Sequence, residues 1–124
     1  MNENVSEVII NGVAYIKKSA VEEKKEVSLD GLQYCIIRTY TAGVFAGYVK
    51  SRNKDEVELL KARRLWSWDG AASLSQLAME GVSKPQNCKF PCEVDNIILP
   101  NVIEIIACTQ KAYKSIREVI IWKS

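Results

Sequence analysis

The sequence predicts an α+β domain built on a mainly antiparallel sheet of five or more short strands with two short helices. Three observations predict it. Short β-rich runs recur along the 124 residues, divided by turn signals such as Asn11-Gly12, Asp30-Gly31 and Asp69-Gly70. Only two stretches, about residues 70–80 and 109–117, carry apolar residues at helical spacing. No repeat, low-complexity tract or interdomain linker breaks the chain, and its length and apolar fraction suit a single domain, 1–124, with one core. An all-β barrel with two helical insertions is the competing architecture.

Taken in order, residues 1–18 predict an N-terminal β-hairpin, because Asn11-Gly12, the strongest two-residue hairpin signal, separates two short apolar runs. Residues 19–32 are charged, with Glu22, Glu23, Lys24, Lys25 and Glu26 in succession, and predict a solvated connector with at most a turn or two of helix. The main body spans 33–124. Its first two strands, 33–40 and 44–51, flank the break Thr41-Ala42-Gly43, and Arg52-Asn-Lys-Asp55 turns the chain into a third run that alternates as far as Trp68. Gly43 and Gly47 mark bulges or places of close backbone approach. After Asp69-Gly70, Leu74, Leu77 and Ala78 form the stripe of a helix that ends at Gly81. Residues 89–99 are extended, with Pro91 limiting them to an edge or a bulge. The apolar run 102–108 suits a central strand. Thr109 is a good N-cap for a helix with Ala112, Tyr113 and Ile116 inward, and 119–122 reads as a last strand.

Composition excludes several classes of function. The chain has no histidine, so the commonest general base and the commonest transition-metal ligand are missing, and no enzymatic activity or cofactor is expected. Cys88 and Cys92 have a spacing at the loose end of zinc sites, but two thiolates are half a site, and a core or loop-anchoring role is preferred. No apolar run approaches the roughly 20 residues that cross a bilayer, and the acidic N-terminus does not read as a signal peptide, so a cytosolic protein with reduced cysteines is expected. The net charge of +2 argues against binding extended nucleic acid. Its distribution is uneven: residues 34–68 hold seven basic and three acidic side chains, the whole of the excess. A local site for a small anion fits that pattern.

The strongest candidate site is the run 62–68. Alternation puts Arg64, Trp66 and Trp68 on one face, with Arg63 and Leu65 on the other, so a guanidinium that can fork onto a phosphate stands beside rings that can stack a base. Ser73 lies near the helix start, where it can cap the helix or donate to a phosphate, capping being preferred. Arg38, Tyr40 and Thr41 form a second polar group at a strand end, unless Arg38 instead pairs across the sheet with Glu56 or Glu58.

Three blocks carry a resemblance. Tyr34-Cys-Ile-Ile-Arg-Thr-Tyr-Thr-Ala-Gly-Val-Phe-Ala-Gly-Tyr48, Ala62-Arg-Arg-Leu-Trp-Ser-Trp-Asp-Gly-Ala-Ala-Ser-Leu-Ser-Gln-Leu-Ala78 and Cys88-Lys-Phe-Pro-Cys92 with Val94-Asp95 resemble a family of short tailed-phage and prophage proteins to which no catalytic or ligand residues are assigned. The resemblance runs from about residue 33 to the C-terminal end and implies a viral protein acting in the host bacterial cytoplasm. By type, such proteins are similar to phage anti-defence sponges, which sequester cyclic ADP-ribose isomers or cyclic nucleotides and assemble as homo-oligomers. The expected function is therefore non-enzymatic binding of a nucleotide-derived defence signal. A protein–protein interaction module that inhibits a host factor or serves in phage assembly is the alternative, and single-stranded nucleic-acid binding the third reading. Apolar residues at both ends of the chain (Val8, Ile9 and Ile10; Ile120, Ile121 and Trp122) predict a homo-oligomer, a dimer or a dimer of dimers.

Overall fold

The computed structural model describes residues 28–123, so the hairpin expected over 1–18 and most of the connector expected over 19–32 lie outside the described residues. The rest forms an antiparallel sheet of five main strands with two helices, an α+β fold. In chain order the elements are β1 (Ser28–Leu29), β2 (Leu32–Thr39), β3 (Val44–Asn53), β4 (Glu56–Arg64), α1 (Leu74–Glu80), a 3₁₀ turn (Pro85–Asn87), β5 (Glu93–Leu99), β6 (Val102–Ala107) and α2 (Gln110–Glu118).

Across the sheet the main strands lie in the order β6-β2-β3-β4-β5, with the two-residue β1 beside the start of β2. Strands β5 and β6 are thus opposite edges, yet only Pro100 and Asn101 separate them. Four flat strand spacings of about 4.8 Å would hold those edges roughly 19 Å apart. Three residue steps of at most about 3.6 Å reach only about 11 Å. The sheet must therefore curl until its edges approach at this corner. There Asn101 takes φ 55°, its carbonyl accepts from the Tyr40 N–H at 2.9 Å, and the Val102 N–H donates to Asp55 O at 2.8 Å.

Strand alternation sorts the core into two clusters. Ile37, Phe45, Val57, Leu59 and Leu99 fill the inside of the curl. On the other face Tyr34, Ile36, Ala46 and Leu65 pack under Leu77 and Ala78 of α1 and Ala112 and Ile116 of α2. Helix α1 starts where the Ser73 side chain accepts from the Gln76 N–H and stops at Gly81, φ 77°. Thr109 caps α2 by accepting from the Ala112 N–H, and its hydroxyl also donates to Met79 O, tying the two helices end to end.

The structure departs from the sequence pattern in three places. The run 102–107 is an edge strand and not a central one; its apolar side chains are used by the two faces of the curled sheet, Val102 and Ile105 inside and Ile106 beneath the helices. The run that alternates as far as Trp68 ends as regular strand at Arg64, leaving an isolated bridge between Ser67 and Lys89. Residues 119–122 make no strand: a single parallel bridge joins Ile121 to Phe90. Within β4, Lys61 at φ 52° forms a bulge, and Gly47 lies opposite, where a Cβ would stand 3.1 Å from Ala62 Cα and from Leu60 O. That contact is the close backbone approach expected at Gly47.

Candidate ligand pocket at the end of β4

The pocket is assembled where β4 leaves the sheet beside the β2–β3 turn. Thr39 shapes that turn: its hydroxyl donates to Gly43 O and accepts from the Ala42 N–H, both at 2.8 Å, and Gly43 takes φ 92°, a conformation suited to glycine. The turn aims the Ala42 carbonyl at Arg64, which donates to it through Nη1 at 2.7 Å. The same guanidinium lies over the Phe45 ring, 4.3 Å from its centroid. Two fixed contacts hold the cation and leave most of its five N–H donors unused.

Around it, Ala42, Gly43, Val44, Leu65, Trp66 and Trp68 complete a pocket of about 350 Å³. Trp66 is 64% exposed and free to present a ring face, whereas Trp68 is half-buried against the helix-side core. The backbone beneath them is pinned by Leu65 N–H to Val44 O at 2.8 Å and by Lys89 N–H to Ser67 O at 2.7 Å. Chemically the pocket offers a forked cation, a flat ring and an apolar floor, which together recognise an aromatic group carrying an anion.

Of the residues singled out from sequence, Arg64, Trp66 and Trp68 come together here. The others do not line the pocket. Arg38 is exposed and pairs with Glu104 on β6 at 3.6 Å, instead of with Glu56 or Glu58, because β6 and not β4 is its neighbour on that side. Tyr40 and Thr41 sit on the same turn as Ala42 but do not line the pocket, Tyr40 being largely exposed and Thr41 accepting from Asn101 Nδ2 at 3.3 Å. Ser73 spends its hydroxyl on the helix cap.

Arg63 is the residue whose role sequence reasoning missed. It is buried, and its guanidinium donates to the carbonyls of Pro91, Phe90, Ile116 and Val119 at 2.6–3.0 Å. Burial pulls its pKa below the usual arginine value. A pair of arginines on a β-rich run was the available signal, but only the tertiary path of the tail after α2 shows which one is structural.

Other titratable groups gather under α2. Tyr48 and Tyr113 share a hydroxyl contact of 2.8 Å, Arg117 donates to Tyr113 Oη at 3.0 Å and pairs with Glu93 at 2.6 Å, and Tyr34 packs edge-on against both rings. Burial raises the pKa of Tyr34 and of Tyr48 above the usual tyrosine value. Cys88 is buried, with its sulfur 3.5 Å from the Asp69 N–H, and Cys92 is exposed; among the described residues no group of three or more acidic or cysteine side chains is placed to hold a metal ion. Among the described residues, no helix is long and apolar enough to cross a membrane.

Residues 32–116 match a family model described as a domain of unknown function, DUF6948. The chain belongs to the DUF6948 family. No curated protein and no solved structure matches it. The DUF6948 match begins at the first residue of β2 and ends inside α2, so it contains every residue that lines the pocket, while β1 and the tail after α2 fall outside it.

Proposed function

We propose that this DUF6948 protein binds a small nucleotide-derived ligand without transforming it, holding phosphate at Arg64 and stacking the base on Trp66. The carrying observation is the convergence of Arg64, Trp66 and Trp68 on one pocket, with the guanidinium already fixed by Phe45 and Ala42 O. A cation held before the ligand arrives loses little side-chain entropy on binding, and that favours affinity. The volume of about 350 Å³ is near the lower end of small-molecule sites, roughly 300–1,000 Å³, and suits one base with its phosphate. The lack of any histidine in the sequence supports binding over turnover. The resemblance to tailed-phage proteins supports a sponge for a host defence signal, an ADP-ribose derivative or a cyclic nucleotide, acting in the host cytoplasm.

The test uses ADP-ribose and a cyclic dinucleotide as probes. Titration should quench tryptophan fluorescence in a saturable manner, and heating the complex should return the probe chemically intact. Degraded probe would make the protein an enzyme, and no quenching or calorimetric signal with either probe would remove the proposal.

A further inference from the structure

Charge in the pocket at the end of β4 can be counted. Among the residues that line it, Arg64 alone is charged. The basic side chains nearest to it along the chain and across its bridges are engaged elsewhere. Arg63 is buried among carbonyls, Arg38 pairs with Glu104, and the Lys89 ammonium lies 5.7 Å from the centroid of the Trp122 ring. Asp69, the acid that follows Trp68, accepts from Asn87 Nδ2 at 2.9 Å. Beyond Arg64, the side-chain donors of the lining are the two indole N–H groups, which carry no charge. The N–H groups of Ala42, Leu65 and Trp66 are already spent, on Thr39 Oγ1, Val44 O and Lys89 O. The guanidinium itself has one face over Phe45 and donates through Nη1 to Ala42 O. The edge that remains, Nε with Nη2, is a single fork matched to two oxygens of one phosphate.

We propose that the pocket selects a phosphodiester, one base and one phosphate of a cyclic nucleotide, over a phosphate monoester. The selection rests on the nucleotide-binding function proposed for the site and narrows its ligand. A diester has two terminal oxygens and one negative charge, which the fork and the single cation satisfy together. A monoester at neutral pH carries about −1.5 to −2 and has three terminal oxygens. Its second charge and third oxygen meet Val44, Leu65 and the rings, where a charged acceptor without a donor is costly. ADP-ribose is a third case. Each of its two phosphates carries one charge, so the first suits the fork while the second finds no cation and adds nothing to affinity.

Calorimetric titration of the full chain with 3′,5′-cyclic AMP, AMP and ADP-ribose, at pH 7.5 and at pH 5.5, tests the selection. With a second pKa of about 6, roughly one AMP molecule in thirty is a monoanion at pH 7.5, and most are at pH 5.5. Cyclic AMP and ADP-ribose keep their charge across that range. Cyclic AMP should bind at least about tenfold more tightly than AMP at pH 7.5, and the gap should close to within about threefold at pH 5.5 as AMP tightens. No charged side chain besides Arg64 lines the pocket and the sequence has no histidine, so a change confined to AMP reports the proton on the ligand. ADP-ribose should bind saturably, no more tightly than cyclic AMP and equally at both pH values. AMP binding as tightly as cyclic AMP at pH 7.5, an AMP affinity unmoved by pH, or ADP-ribose binding more than about tenfold tighter than cyclic AMP would each overturn the selection and leave a nucleotide site in place. Silence with all three probes would instead remove the nucleotide site, and the selection with it.

Discussion

Arg63 and Arg64 are neighbours in sequence and opposites in use. On the helix side of the sheet, Arg63 is buried and its donors are taken up by the carbonyls of Pro91, Phe90, Ile116 and Val119, so that one side chain fastens the chain before β5 and the end of α2 to β4. Facing the other way, Arg64 is partly exposed, rests on Phe45 and uses one donor on Ala42 O. A guanidinium whose donors are saturated by buried carbonyls is a structural clamp; one that is held still with donors to spare is a binding group. The number of donors already satisfied, and not charge or position in the chain, separates the two.

The largest effect that sharpens this contrast is expected at Arg63. Arg63→Ala leaves several buried carbonyls without a donor and should cost about 3–5 kcal/mol in urea unfolding, the range seen when one side of a buried charged network is removed. Arg63→Lys should recover only a fraction, because a point-like ammonium cannot reach carbonyls spread around a planar fork. Full stability of either variant would show that the clamp is dispensable and that the two arginines do not differ as described.

A smaller effect separates the two tryptophans. Trp68 packs against the helix-side core, so Trp68→Ala should lower stability by about 2–3 kcal/mol. Trp66 is mostly exposed, so Trp66→Ala should leave the unfolding midpoint nearly unchanged while weakening a stacked ligand by about 1–3 kcal/mol. Equal stability losses for the two would mean that Trp66 is core in solution and unavailable for stacking.

The smallest effect concerns the thiols. Burial pushes Cys35 up to about 11 and Cys108 up to about 12, from 9.0. Because the folded values are the higher ones, the folded chain keeps these protons longer. Their contribution to stability is complete below about pH 9 and is lost as pH rises through 11 and 12. At pH 8 a thiol reagent should label exposed Cys92 promptly and the other three cysteines only on unfolding. Prompt labelling of Cys35 or Cys108 in the folded protein would contradict their burial.

Much of this arrangement was legible in the sequence. Alternation placed Arg64 and Arg63 on opposite faces of β4, but beyond Arg64, where regular strand stops, it no longer holds: Trp68 packs against the helix-side core and reaches the pocket from that side. Caps were legible because they are local: Ser73, Gly81 and Thr109 act on neighbours within a turn. Strand order was not. Nothing within a few residues of Arg38 says that β6 will lie beside β2, so its pairing with Glu104 could not be read. The apolar run 102–107 looked central, but as an edge strand it is only partly covered: Val102 and Ile105 pack inside the curl and Ile106 beneath the helices, while Ile103 is exposed. The burial of Arg63 depends on where the tail after α2 returns, a contact between residues more than fifty positions apart.

Calorimetric titration of the parent and of Arg64→Ala with ADP-ribose tests the central claim most directly. The account predicts saturable binding by the parent and binding weaker by about 1.5–3 kcal/mol in the variant, the worth of a charge-assisted hydrogen bond. The variant's unfolding free energy should fall by no more than about 1 kcal/mol, the scale of its contact with Phe45. A variant that binds as the parent does, or that loses binding only because it no longer folds, would contradict the assignment of Arg64 as the binding arginine.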